Sequence, residues 1–189
     1  MPFTSVSYRE TVRIFTGLDE LIDHLRHLGG LGSDEALAFS ELDHGLQCAA
    51  LLAEAAPDDV ELQVAGLVHD VAHPWDGPGQ PDHHRLGAAA VRGLLGDRVA
   101  DLVEAHVEAK RYLVTVDPAY RATLSPGSIA TLAAQGGDLS PAEVAAAEAR
   151  ADWAAAVALR RADDGAKIPG AAVPPLEHWL PALRSVGVR

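Results

Sequence analysis

The chain has 189 residues, of which 48% are hydrophobic and 22% charged, as in a globular protein rather than a disordered one. Its formal net charge is −12 and Lys and Arg form no cluster. Both facts argue against nucleic acid and membranes as partners, because such surfaces are bound through phosphate neutralisation. Aromatic residues make up only 5%, so the core must consist mainly of Leu, Val and Ala, which favours helices.

The sequence gives no sign of export or membrane insertion. Cys48 is the single cysteine, which excludes an internal disulfide framework and is typical of a reducing compartment. Residues 1–6 lack a basic region followed by an apolar run, so we predict no signal peptide. No apolar stretch approaches the roughly 18–20 residues that span a bilayer. We therefore predict one cytoplasmic domain over residues 1–189, with its core at about 18–185.

Apolar residues spaced as on one helix face predict three helices in the first part of the chain. The first covers 18–28 and ends at a Gly-Gly pair. The second is predicted from about residue 34 to residue 55. Asp58 and Glu61 have the spacing of a capping box, which predicts the start of a third helix at about 59–72.

The rest of the chain also predicts helices. Ser125-Pro126 and Ser140-Pro141 each place a capping Ser before a Pro at the first helical position. No segment alternates apolar and polar residues as a half-buried strand does. The fold class is therefore predicted as all-α. The remaining helices are predicted at about 83–95, 97–114, 141–163 and 176–186.

The segment 65–73 carries the residues most suggestive of chemistry. It contains the adjacent pair His69 and Asp70 at the end of an apolar helix, followed by His73. Asp70 could bridge two metal ions, because a carboxylate has two oxygens. Imidazole and carboxylate ligands without cysteine suit iron, manganese or zinc. Further candidate ligands occur at separate helical sites, namely His44, His83, His84, His106, Asp163 and Asp164.

The order of these residues resembles the HD-domain metalloprotein superfamily, whose two-metal members carry the pattern H…HD…H…H…D. The resemblance covers about residues 18–185 and implies an all-α HD-domain bundle with a two-metal site in its core. His83 is preferred to His84 because it gives the H-x-x-x-G spacing to Gly87. The residues that match the pattern are His44, His69, Asp70, His83, His106 and Asp163.

Four shorter segments are similar to the PhnZ-like oxygenases, relatives of myo-inositol oxygenase that use a mixed-valent di-iron centre. This similarity implies two iron ions, Fe2+ and Fe3+, and the O2-dependent oxidation of a C–H bond in a small hydroxylated, anionic substrate. A 1-hydroxyalkylphosphonate whose C–P bond is broken is the implied substrate. One iron would be held by His44, His69, Asp70 and Asp163, and the other by Asp70, His83 and His106, with Asp70 bridging. The similar segments are 46–49, 106–113, 124–128 and 160–164.

The same resemblance implies two catalytic residues that also bind substrate. Lys110 follows His106 by four residues, so both lie on one helix face and an ammonium would sit beside the metal ions. His73 follows His69 at a similar distance and matches a second position that contacts the substrate. Local positive charge would suit an anionic substrate despite the net charge of −12.

Two further substrate-binding positions are implied at Ser128 and Arg160. Their neighbours Ser125 and Arg161 could serve instead. One departure from the family concerns a Tyr and a Glu that close over the site before substrate arrives. Asp34 and Leu37 occupy the matching positions, so this gate is missing or rebuilt, and the identity of the substrate stays open.

Other functions and plain structural roles remain possible at this point. An HD phosphohydrolase would use Mn, Mg or Ni to hydrolyse a nucleotide or another small phosphate ester, and a non-catalytic metal- or nucleotide-binding module is a third class. Lys110 and Arg111 could form a solvated helix end. His24 and His27 are predicted on the exposed side of the first helix, and His178 at the surface or in packing.

Overall fold

The computed structural model describes residues 13–33, 36–76 and 81–187, with the backbone alone at 32–33 and 36–39. The described part is built of α-helices, two short 3-10 helices (His73–Trp75 and Tyr120–Thr123) and one small hairpin, β1 (Gly32–Ser33) and β2 (Ala36–Ser40). The predicted all-α class is confirmed. The helices are α1 (Leu18–Leu28), α2 (Glu41–Ala55), α3 (Val60–Val68), α4 (His83–Leu95), α5 (Asp97–Val116), α6 (Pro126–Ala134), α7 (Pro141–Glu148), α8 (Trp153–Gly165) and α9 (Leu176–Val186).

The second helix begins later than the predicted residue 34. The hairpin precedes it, and α2 starts at a capping box formed by Ser40 and Asp43. Ser40 Oγ accepts the Asp43 N–H at 3.1 Å, and Asp43 Oδ2 accepts the Ser40 N–H at 3.0 Å. The predicted start was wrong because this Ser-x-x-Asp signal, which satisfies two free N–H groups at a helix start, was overlooked.

The cap of α3 also differs from the prediction. Asp59, and not Asp58, accepts the backbone N–H of Leu62, at 3.1 Å. The same carboxylate pairs with Arg98 of α5, at 2.6 Å between Asp59 Oδ1 and the guanidinium. Contact with a second helix therefore decided between two adjacent aspartates that look equivalent in the sequence.

The end of α3 places the His-Asp pair in a tight turn. The helix ends at Val68, earlier than the predicted residue 72. The N–H of His73 donates to the carbonyl of Asp70 at 3.0 Å, the three-residue spacing of a 3-10 turn. Pro74 disfavours the helical conformation in the residue before it. His69 and Asp70 thus follow the helix rather than lie within it.

The long helix predicted at 141–163 is two helices, α7 and α8, separated by residues 149–152. The break turns the chain so that Trp153 packs edge-on against Tyr112 of α5, with ring centres 5.3 Å apart. Arg150, in the break, pairs with Glu108 of α5 at 2.7 Å. The prediction was wrong because an alanine-rich segment favours helix throughout, whereas the contacts with α5 that accompany the break have no local signal in the sequence.

The core is built mainly of Leu, Val and Ala, and no helix in the described ranges is long and apolar enough to cross a membrane. α2 and α3 approach closely at Gly45, where a Cβ would lie 2.5 Å from the carbonyl oxygen of Leu67. A second, smaller apolar cluster surrounds Tyr120 beside α5 and α6. Side chains that are at most 2% exposed include Leu21, Leu25, Leu52, Val64, Val68, Leu102 and Leu159.

His24 is buried, which contradicts its predicted exposure, whereas His27 is exposed. His24 Nε2 donates to the carbonyl of Val71 at 2.9 Å. Its ring lies 4.9 Å from that of Trp75 and 5.4 Å from that of Phe15. The prediction was wrong because these two aromatic side chains, which are distant in sequence, cover this side of α1. Burial lowers the pKa of His24.

Candidate metal centre

Four histidines and two aspartates converge in the core from separate elements. α2 supplies one histidine, the turn after α3 supplies the His-Asp pair, α4 and α5 supply one histidine each, and α8 supplies the second aspartate. Their potential ligand atoms form two groups, within each of which all atoms lie within 4.8 Å of one another. Group one comprises His44, His69 and Asp163, and group two comprises Asp70, His83 and His106.

Asp70 lies between the two groups and points one oxygen at each. Its Oδ2 is 3.4 Å from His44 Nε2 and 3.2 Å from His69 Nε2. Its Oδ1 is 3.6 Å from His83 Nε2 and 3.7 Å from His106 Nε2. A carboxylate with this arrangement can contact two cations at once.

The histidines are oriented by hydrogen bonds from their outer nitrogens. When Nδ1–H donates to a backbone carbonyl, the ring is fixed in the tautomer whose Nε2 lone pair is free for a metal ion. His69 Nε2 is buried and makes no hydrogen bond within the described ranges, although Asp70 Oδ2 lies 3.2 Å from it. Such an atom is costly to bury unless it binds something. The Nδ1 acceptors are Ala166 for His44, Gly66 for His69 and Val103 for His106, at 2.8, 2.8 and 2.6 Å.

The carboxylates around group one have cationic neighbours. Burial by itself would raise the pKa of Asp163, but Arg160 and a hydrogen bond to His44 hold it well below its usual range. Burial opposes a charge on His44, yet its hydrogen bonds to Asp163 and Asp70 raise its pKa to about 10. Without a metal ion a proton on His44 therefore compensates the carboxylates, and metal binding would release that proton.

A cavity of about 70 Å³ borders both groups and has a cationic wall. Lys110 is buried and its Nζ donates to Thr131 Oγ1 at 3.0 Å. Burial and the neighbouring Arg160 lower the pKa of Lys110 to about 7. Arg160 donates to Ser128 Oγ at 3.2 Å, and Lys167 approaches this hydroxyl to 3.4 Å. The wall thus offers positive charge and hydroxyl groups to an anion.

The structure separates the alternatives that the sequence left open at this wall. Ser128 lines the cavity, whereas Ser125 caps α6 by accepting the Ser128 N–H at 3.1 Å. Arg160 is 3% exposed and lines the cavity, whereas Arg161 points to solvent. Lys110 reaches the same cavity from α5, as its spacing from His106 led us to expect.

His73 lies on the cavity wall with a partner that the sequence did not suggest. Its Nδ1 is 3.2 Å from Glu41 Oε2, and its Nε2 is 3.2 Å from Asp70 Oδ1. Burial disfavours a charge on His73, but the two carboxylates raise its pKa to about 9. Glu41, Asp70 and His73 form a third group with ligand spacing. The available signal for Glu41 was its position one helical turn before His44.

Of the two adjacent histidines of α4, the structure brings His83 to the site. His83 Nε2 lies 3.1 Å from His106 Nε2. His84 is buried outside both groups, and its Nδ1 has no hydrogen-bond partner in the described part of the chain. Asp76 fixes the start of α4 by accepting the backbone N–H groups of Asp82 and His83, at 2.8 and 2.6 Å.

The two positions that match the family's Tyr/Glu gate give no structural answer. Asp34 lies outside the described residues. Leu37 belongs to β2, and only its backbone is described. That the gate is missing or rebuilt therefore stays a prediction from the sequence.

Comparison with known proteins decides the family. A model of the HD domain matches residues 42–153, more than half of the chain. The chain belongs to the HD-domain family. This HD-domain protein is 36% identical over 161 residues to hydroxymethylphosphonate dioxygenase of Gimesia maris, covering 77% of each chain. It is 31% identical over 150 residues to [1-hydroxy-2-(trimethylamino)ethyl]phosphonate dioxygenase (glycine-betaine-forming) of Leisingera caerulea, covering 75% and 76%. The family predicted from the residue order is confirmed.

Proposed function

We propose that this HD-domain protein is an O2-dependent oxygenase that holds two iron ions and breaks the C–P bond of a small 1-hydroxyalkylphosphonate. The observation that carries the proposal is the position of Asp70, whose oxygens face separate histidine pairs beside a cavity with a cationic wall. Two relatives named as phosphonate dioxygenases support this class of substrate.

The donor set fits iron. Imidazole nitrogens and carboxylate oxygens suit it, and a metal ion would satisfy the buried Nε2 of His69, which makes no hydrogen bond in the described residues although Asp70 Oδ2 lies 3.2 Å away. Iron bound there would supply the one-electron chemistry that a reaction with O2 requires. The ions would be held by His44, His69, Asp70 and Asp163 on one side, and by Asp70, His83 and His106 on the other.

The cationic wall would bind the phosphonate. The charged groups of Lys110 and Arg160 would form charge-assisted hydrogen bonds to phosphonate oxygens, which are about twice as strong as neutral ones. The Ser128 hydroxyl lines the same place and would add a donor. Because Lys110 lies one helical turn from His106, the carbon attached to phosphorus would be held beside group two.

His73 and Lys110 are the residues to which we assign catalytic roles. Glu41 Oε2 lies 3.2 Å from His73 Nδ1 and Asp70 Oδ1 lies 3.2 Å from Nε2, so both ring nitrogens carry protons and Nε2–H would donate a hydrogen bond to the substrate. Lys110 Nζ would neutralise the phosphonate and the phosphate that leaves after C–P cleavage. Both side chains line the cavity.

The size of the cavity favours a compact substrate. Its volume is about 70 Å³, and a cavity needs about 10–15 Å³ to hold one water molecule. Hydroxymethylphosphonate fits such a space better than a nucleotide does. The alternative, a phosphohydrolase that uses Mn, Mg or Ni on a nucleotide, is therefore the weaker one.

Metal analysis and product analysis of one preparation test the proposal. We expect about two irons per chain and a mixed-valent EPR signal after partial reduction, which hydroxymethylphosphonate perturbs when O2 is excluded. After O2 is admitted, each substrate molecule should consume one O2 and yield one formate, one phosphate and one proton. A single Mn, Ni or Mg ion with hydrolysis of phosphate esters in the absence of O2 would contradict the proposal.

Lys110→Met tests the assigned anion contact. It removes a buried charge but keeps the length of the side chain, so iron should be retained while kcat/KM for hydroxymethylphosphonate falls about 10–100-fold, the loss of one to two charge-assisted hydrogen bonds. Arg26→Met is the matched control, because Arg26 is exposed and its ion-pair partner among the described residues is Asp23 on α1. An equal fall in kcat/KM in both variants, or loss of iron from Lys110→Met, would contradict the assignment.

A further inference from the structure

Arg160 is held from behind the cavity by two residues that do not line it. Its Nε donates to the Tyr120 hydroxyl oxygen at 3.0 Å and to Asp164 Oδ2 at 3.2 Å. Its NH2 group also pairs with Asp164, and the Tyr120 hydroxyl donates to the same carboxylate. Neither Tyr120 nor Asp164 belongs to the cavity wall. One edge of the guanidinium is therefore hydrogen-bonded to a tyrosine-aspartate pair.

The other edge of the same guanidinium faces the candidate site. NH1 donates to Asp163 Oδ2 at 2.7 Å, and NH2 donates to Ser128 Oγ at 3.2 Å. A guanidinium is planar, so fixing Nε and one terminal nitrogen also fixes the direction of the remaining N–H groups. The hydrogen bonds along one edge of the guanidinium thus determine the direction in which the other edge faces Asp163 and the cavity.

Tyr120 is anchored well enough to act as a fixed support. It belongs to the 3-10 helix after α5, and its ring is buried in the second apolar cluster. That cluster joins the end of α5 to α6, while Arg160 and Asp164 lie on α8. The Tyr120 hydroxyl therefore ties α8 to the elements that carry Lys110 and Ser128.

We propose that Tyr120 and Asp164 are positioning residues that aim Arg160 at the anionic group of the substrate. The inference rests on the proposed function, since it assigns these two residues to the phosphonate end of the same cavity. Without the hydrogen bonds to Tyr120 and Asp164, Arg160 would keep its charge. Its guanidinium would lose the orientation in which it donates to Asp163 and Ser128. Affinity for the phosphonate should fall while the metal ions remain bound.

Binding of methylphosphonate to the iron-loaded protein tests the inference. This probe carries the phosphonate but lacks the hydroxyl group, and calorimetry under nitrogen measures its affinity without turnover. We expect Tyr120→Phe, which removes one oxygen and keeps the ring, to weaken binding about tenfold with unchanged iron content. With hydroxymethylphosphonate and O2, KM should rise more than kcat falls. Asp164→Asn should show the same pattern and provides a second variant if the first folds poorly.

Two controls separate orientation of Arg160 from general damage. Tyr112→Phe removes a comparable hydroxyl, which donates to Glu148 at 2.8 Å outside the cavity, and should bind the probe as wild type does. In an Arg160→Lys background, Tyr120→Phe should not weaken binding of the probe further, because the planar guanidinium that Tyr120 orients is absent.

The outcomes distinguish the inference from the function on which it rests. If wild type binds methylphosphonate and Tyr120→Phe binds it equally well, the inference alone is wrong. If Tyr112→Phe loses as much affinity as Tyr120→Phe, or if the loss persists in the Arg160→Lys background, the effect is structural and the inference is again wrong. If wild type binds no probe but oxidises hydroxymethylphosphonate, the inference is wrong and the proposed function stands. If wild type neither binds the probe nor oxidises hydroxymethylphosphonate, both are wrong.

Discussion

Glu41 is a buried carboxylate that holds His73 at the cavity. Its Oε2 lies 3.2 Å from His73 Nδ1, and the opposite ring nitrogen lies 3.2 Å from Asp70 Oδ1. A carboxylate that accepts Nδ1–H fixes both the tautomer and the direction of a histidine ring. Glu41 therefore decides which nitrogen of His73 is presented to a ligand.

Glu41→Ala tests this role. We expect kcat with hydroxymethylphosphonate to fall about 10–100-fold, the cost usual for losing such an outer contact at a metal site. Iron content should stay at the wild-type level. In Glu41→Gln kcat should fall less than in Glu41→Ala, because the amide oxygen of Gln still accepts the Nδ1–H of His73. Kinetics and iron analysis of the same preparations give the comparison, and loss of iron from Glu41→Gln would identify Glu41 as a ligand instead.

The ligand candidates could be predicted because their order resembles the H…HD…H…H…D pattern of the HD-domain superfamily, in which an adjacent His-Asp pair is followed by two histidines and an aspartate. Glu41 and Lys167 could not. A glutamate near the start of a helix and a lysine near the end of one have the appearance of ordinary solvated residues. Only the true start of α2 after Ser40, and the path of the chain beyond Asp163, turn these two side chains inward.

At the scale of elements, the contact between α2 and α3 determines where His44 lies. A Cβ at Gly45 would be 2.5 Å from the carbonyl oxygen of Leu67, a distance that real Cβ atoms essentially never show. The obstacle is backbone and cannot rotate away. Because Gly45 directly follows His44 on α2, any displacement of the helix also displaces His44 Nε2.

Gly45→Ala should therefore damage stability and the site together. We expect a loss of about 1–3 kcal/mol in the free energy of unfolding, the usual cost of overpacking a core, and weaker iron binding. Gly93→Ala on α4 is the matched control, because its Cβ would meet nothing within 4 Å. It should gain about 0.5–1 kcal/mol from helix propensity. Urea unfolding measures both, and an unharmed Gly45→Ala would show that α2 and α3 can separate freely.

Elements were predictable where local signals were sufficient. The bounds of α1, α4 and α9 follow from apolar periodicity and from glycine or proline at their ends. The break between α7 and α8 was not predictable, since alanine favours a continuous helix and the contacts of Arg150 and Trp153 with α5 that accompany the break have no local signal. The hairpin before α2 was missed because its strands are short and show no alternation.

The whole molecule combines an acidic surface with a locally cationic cavity. Its net charge is −12, yet Lys110, Arg160 and Lys167 line one wall of the cavity. Charges several Debye lengths apart are screened, whereas buried charges act at full strength on a ligand beside them. The overall charge therefore predicts nothing about the sign of a buried ligand.

The six candidate ligands also connect elements across the whole fold. They span the chain from His44 to Asp163, and Asp70 of group two also faces His44 and His69 of group one. Ions that bind the folded chain but not the unfolded one stabilise it, by about 2.7 kcal/mol at a concentration one hundred times the dissociation constant. Iron should therefore raise the midpoint of thermal unfolding, and chelation should lower it.

Three variants test this coupling through the way the ligands are shared. Asp70→Asn should lose iron from both groups and most of the stabilisation by iron, because its carboxylate faces all four histidines. His83→Gln should lose only the ion of group two. His84→Gln, which changes the adjacent buried histidine outside both groups, should keep the wild-type content. Iron analysis and calorimetric unfolding under nitrogen supply both readouts. Equal iron loss in His83→Gln and His84→Gln would mean that the start of α4, rather than a ligand, had been disturbed, and full iron retention in Asp70→Asn would rule out a shared carboxylate.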